Sequence, residues 1–120
     1  MSQAATAQTA YSQATRISPS SRRIEFDAFS SVTSSLKAAK AFEDTALAVH
    51  KNTKLWSVLA KDLVHDENEL PDQLRAGLLN LAIFSETHGQ AVLRGQKDVE
   101  PLIEVNHSVM RGLMKRGAEQ

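Results

Sequence analysis

Ser20 to Leu70 reads SSRRIEFDAFSSVTSSLKAAKAFEDTALAVHKNTKLWSVLAKDLVHDENEL, fifty-one residues with neither glycine nor proline. A stretch that long without a breaker is poor material for strands and turns and good material for helix. Within it Phe29, Val32, Leu36 and Ala39 recur at steps of three and four, so they share one helical face. A second stripe follows at Asn52, Leu55, Trp56, Leu59 and Leu63. The two stripes predict two helices with a bend near Phe42 to Thr45, where Asp44 or Thr45 caps the second. One long, kinked helix is the alternative.

Downstream, His65-Asp66-Glu67-Asn68-Glu69 reads as a polar loop. Pro71 suits a helix start, and Asp72 beside it favours the positive helix end. Leu74, Leu78, Leu81 and Phe84 continue at helical spacing, with Leu79 and Ile83 widening the stripe. Gly95 is a helix stop and Asp98 an N-cap for a last helix, with Pro101 in its first turn. Its apolar face is Val99, Leu102, Ile103, Asn106, Val109, Met110 and Leu113, with Gly112 near its end and Gly117 closing the ordered chain. Upstream, Pro19 restricts Ser18 to an extended conformation. Residues 1–17, rich in Ala, Gln, Thr and Ser, show no sustained apolar stripe and read as a flexible arm. No segment alternates like a strand. The expected fold is all-α, a small antiparallel bundle of about four main helices, with residues 18–117 forming one helical-bundle domain.

The composition narrows function by exclusion. The chain has 120 residues, 42% of them hydrophobic and 23% charged, which is ordinary for one globular domain. Fourteen Lys and Arg balance fourteen Asp and Glu. A domain that lives on phosphate contacts is usually basic, so direct RNA binding is disfavoured. The only basic cluster is Arg16, Arg22 and Arg23, with Tyr11 the sole ring near it. Zero net charge hides a mild dipole: residues 1–60 carry plus three and residues 61–120 minus three. There is no cysteine, which removes disulfides, thiolate metal sites and cysteine nucleophiles and fits a reducing compartment.

His50, His65, His88 and His107 lack the i, i+4 spacing of a zinc helix. Asp66 and Asn68 begin a calcium-loop pattern that fails at Leu70-Pro71. No nucleophile elbow, phosphate loop or dinucleotide fingerprint occurs. No basic, apolar leader and no run long enough to span a membrane is seen. The expectation is a cytoplasmic, non-enzymatic protein without metal, cofactor or membrane insertion.

Four stretches, in order, resemble the FlaF family, the flagellar biosynthesis regulators of alphaproteobacteria. They are Ala10-Tyr11 with Ser18-Pro19 and Glu25; Asn52-Thr53-Lys54-Leu55-Trp56 with Asp62-Leu63; Leu70-Pro71 with Leu74-Arg75 and the Leu78 to Phe84 run; and Leu102-Ile103-Glu104-Val105-Asn106 with Met110 and Gly112-Leu113. The family often has an Arg-Glu pair right after the proline, where this chain has Ser20-Ser21 and then Arg22-Arg23. The resemblance implies a protein that binds flagellin in the cytoplasm, assists its secretion and regulates its production. It also implies a partner regulator, FlbT, and as the alternative function post-transcriptional control of flagellin mRNA together with FlbT.

Flagellin carries amphipathic terminal helices that must be covered before export, and an apolar groove on a helical domain would cover them. The candidate protein-binding residues are Tyr11, Ile17, Pro19, Leu55, Trp56, Arg75, Met110 and Leu113. Trp56 on an apolar stripe is otherwise a core residue. Arg75 either contacts a client or pairs with Asp62 or Glu69. Met110 otherwise fills a core gap. Asn52, Asp62 and Asn106 are read as structural polar residues, with the two asparagines hydrogen-bonding inside the bundle.

Overall fold

The computed structural model describes residues 19–68 and 71–118, with side chains for 25–68, 71–73 and 75–112. Those residues form α1 (Pro19–Ala38), α2 (Phe42–Leu63), α3 (Asp72–Leu93) and α4 (Glu100–Ala118), with no strand among them. The chain is an all-α helical bundle, as its breaker-free stretch and apolar stripes require. The arm, with Tyr11 and Ile17, lies outside the described residues.

Each connection has a local cause. Pro19 opens α1, where a missing N–H costs nothing. The chain breaks after Ala38, so α1 and α2 are two helices rather than one kinked rod. The break falls three residues earlier than the bend expected at Phe42 to Thr45. Ala41 is the extended N-cap residue of α2 (φ −79°, ψ 155°), and its carbonyl accepts the Thr45 N–H at 3.1 Å. Asp44 therefore lies inside the first turn with Glu43, where both favour the positive helix end. The Thr45 hydroxyl donates back to the Ala41 carbonyl at 3.2 Å, so it cannot serve as a cap acceptor.

Beyond Leu63 the loop is closed by short-range bonds. The Glu67 N–H donates to His65 Nδ1 at 3.1 Å, and Asn68 Nδ2 donates to the Asp62 carbonyl at 3.1 Å. Pro71 is the N-cap residue of α3, one position before the helix, and Asp72 stands in its first turn. At the far end Gly95 has φ +74°, the left-handed conformation that favours glycine. Its N–H donates to Val92 O and that of Gln96 to Ala91 O, both at 2.9 Å, which completes a Schellman stop. Asp98 Oδ1 then accepts the Glu100 N–H at 3.1 Å and starts α4.

α2 packs most extensively on α3, α1 packs on α4 and α2, and α3 meets α4 over a narrower strip. The core has two apolar levels. One joins Leu36, Ala48, Val49, Val92, Leu102 and Ile103; the other joins Phe29, Trp56, Leu63, Leu78, Leu81, Ala82, Val105 and Val109. In every adjacent pair of helices the residue numbers run in opposite directions from one level to the other, so neighbours are antiparallel. Each helix also contributes a buried polar residue: Thr33, Asn52 and Ser85 lie between the two levels in sequence, and Asn106 lies beside Val105. Phe29 meets Trp56 edge to face at 5.5 Å, an arrangement that adds about 0.5–1.5 kcal/mol beyond area burial.

A furrow between the second and third helices

Small side chains set how closely α2 and α3 approach. At Gly89 a Cβ would stand 3.1 Å from Val49 Cγ1 and 3.4 Å from Thr53 Oγ1, so glycine permits the contact there. One to three turns further along α2, Thr53, Ser57 and Ala60 are too short to fill the space beside α3. A furrow opens between them and Leu79, Ala82, Ile83 and Glu86 of α3, with Trp56 at its floor. Ile83 stands on the rim and is 63% exposed.

The exposed apolar surface is concentrated on the same pair of helices. Phe42, Leu47 and Val58 lie on α2, Val64 caps it, and Ile83 and Leu93 lie on α3. Among the described side chains, α1 and α4 contribute no large exposed hydrophobic residue. Ile83 is thus a correction to the expected core stripe. Leu78, Leu81 and Val92 face inward, and Ile83 is out of phase with them by roughly half a helical turn. That phase difference was present in the sequence and is the signal for the rim.

Most of the candidate residues whose side chains are described serve the interior instead. Trp56 is buried, and its Nε1 donates to Asn106 Oδ1 at 3.0 Å. Asn106 Nδ2 in turn donates to Asn52 Oδ1 at 2.7 Å. The chain of bonds crosses the bundle diagonally, from α2 to α4 and back. It uses the indole N–H that an apolar core would otherwise leave orphaned. Asn52 Nδ2, Thr33 Oγ1 and Ser85 Oγ have no partner. Leu55 and Met110 are half-buried against the Trp56 level. Pro19 and Leu113 lie in α1 and α4, and their side chains are outside those described.

Arg75 does not pair with Asp62, and Glu69, its other expected partner, lies outside the described residues. Its guanidinium meets Asp72, one turn earlier on α3, at 2.6 Å, and Nη1 reaches the Leu63 carbonyl at 3.5 Å. The i, i+3 spacing holds Asp72 within reach, whereas Asp62 points its carboxylate to solvent and contributes only its carbonyl, to Asn68. The Arg75 side chain therefore links the start of α3 to the end of α2. His107, half-buried on α4, is held below its usual pKa of 6.5 by desolvation and then by Lys37 and Arg111, with Glu100 opposing. Lys37 belongs to α1, so this perturbed group faces away from the furrow.

No helix among the described residues is long and apolar enough to cross a membrane. No group of three His, Cys, Asp or Glu there is placed to hold a metal. The furrow offers shape and apolar contact rather than a reactive constellation.

The family model described as flagellar protein FlaF matches residues 7–113. Comparison with curated proteins and with solved structures yields no match. The matched segment covers all but the ends of the chain, and the protein belongs to the FlaF family of flagellar proteins.

Proposed function

We propose that this FlaF-family protein is a non-enzymatic, cytoplasmic chaperone that binds flagellin before secretion and regulates its production, with FlbT as a partner regulator. The observation that carries the reading is the apolar furrow of α2 and α3, on a chain whose family is flagellar. Amphipathic helices seek such furrows because they bury the apolar stripe without unfolding the host. A flagellin terminal helix has its permanent partners only in the filament, and a furrow that takes the same stripe keeps it from aggregating earlier. Ordering the client helix on binding costs about 2–5 kcal/mol, which keeps affinity moderate and release feasible.

The test pairs two ligands with one variant. Monomeric flagellin of the same cell should bind the purified protein, and Ile83→Glu should weaken that binding at least tenfold while the unfolding midpoint stays put. An exposed rim residue changes stability little, so the two effects separate cleanly. If flagellin fails to bind and the leader of its mRNA binds with affinity falling steeply in salt, the translational reading replaces this one.

A further inference from the structure

A row of lysines runs along the outer side of the furrow's α2 wall. On α2, Leu47, Lys51, Lys54, Val58 and Lys61 follow steps of four, three, four and three, and all five are exposed. They form a solvent-facing ridge. No acidic residue occurs between Asp44 and Asp62, so none of the three lysines has a carboxylate at i±3 or i±4. None forms an ion pair with another described residue. Ser57, on the furrow wall, lies three residues from Lys54 and four from Lys61, which places the lysine ridge directly beside the furrow. Across it, the exposed rim of α3 is Asn80, Ile83, Glu86, Thr87 and Gln90, with Glu86 the single charge among them and in contact with the furrow.

We infer that the furrow and its lysine ridge form one docking surface for an amphipathic protein helix with an acidic flank, laid so that the acidic edge covers Lys51, Lys54 and Lys61 of α2. This rests on the reading of the furrow as a client groove and adds the charge and orientation of the bound segment. Three unpaired cations beside exposed Leu47 and Val58 complement carboxylates interspersed with apolar residues. A second copy of this chain does not fit, because juxtaposed ridges would set lysine against lysine. A membrane surface does not fit, because the apolar face of α2 is spent on the core and only Leu47 and Val58 remain outside along the ridge, with Phe42 at the helix start. Nucleic acid would want stacking aromatic rings beside the lysines; from Lys51 to Lys61 the one Phe, Tyr or Trp is Trp56, which is buried, and the exposed ring next to Lys51 is the imidazole of His50. Zero net charge thus conceals a local field where the client lies.

The experiment titrates monomeric flagellin of the same cell against the full-length protein and the triple variant Lys51→Gln, Lys54→Gln, Lys61→Gln. Glutamine matches lysine in helix propensity, so the fold is retained. The triple variant should bind about tenfold more weakly at low salt, and the gap should close to about twofold when salt screens the ridge. Lys40→Gln with Lys97→Gln, off the ridge, should stay within about twofold throughout. Equal binding by wild type and triple variant at every salt concentration overturns the inference and leaves the groove reading standing. Equal losses in the triple variant and the off-ridge control reduce it to general charge attraction and overturn it. If wild type does not bind flagellin at all, both readings fall, and a triple variant that instead loses binding to the flagellin mRNA leader assigns the ridge to RNA.

Discussion

On the inner face of α2, Asn52 is 0% exposed and Trp56 1%, while Val58 on the outer face is 60% exposed. A polar amide is buried and a branched aliphatic side chain faces water, the reverse of the simple amphipathic rule. The inner exception has a partner: Asn52 Oδ1 closes the chain that runs through Asn106 to the Trp56 indole. The outer exception has none among the described residues. Buried polar groups answer to hydrogen-bond satisfaction, so their presence reports structure. Clustered exposed apolar groups satisfy nothing internal, so their presence reports a surface kept for something else. One helix therefore carries the structural device and the proposed docking face on opposite sides.

Four substitutions test that division. Trp56→Ala should cost the most, about 3–5 kcal/mol by urea unfolding, because it empties the level shared with Phe29 and orphans Asn106 Oδ1. A loss under about 1 kcal/mol would place the ring outside the core. Asn106→Ala should come next, since it strands the Trp56 N–H and Asn52 Oδ1 together, and each buried orphan costs about 1–3 kcal/mol. Paired with Asn52→Ala in a double-mutant cycle, it should be non-additive, with a coupling of about 0.5–3 kcal/mol; strict additivity would break the chain of bonds into unrelated contacts. Val58→Ser should move stability least, within about 0.5 kcal/mol, yet weaken flagellin binding. A large stability loss there would erase the distinction between the two faces.

The helices themselves were readable early. The breaker-free run, the stripes at Phe29, Leu36, Trp56, Leu63, Leu78 and Leu102, the stop at Gly95 and the start at Asp98 are local signals with local causes. The α1–α2 boundary was less so, because Ala41 caps by conformation alone and offers no side-chain signature. Asn52 and Asn106 were legible as buried polar residues; their bond to each other was not, since fifty-four residues separate them. The site was the least legible part. Of the four candidate binding residues whose side chains are described, Leu55, Trp56, Arg75 and Met110, only Trp56 touches the furrow, and it does so as floor.

Residue types and their spacing decided helix, stop and inward face, because these follow from backbone sterics and the 3.6-residue turn. Which helices lie side by side, that Arg75 meets Asp72 and Leu63, and that Thr53, Ser57 and Ala60 open a furrow against Leu79 and Ile83 were decided by the assembled bundle alone. A gap between two helices is a property of both surfaces at one crossing, and no single helix encodes it.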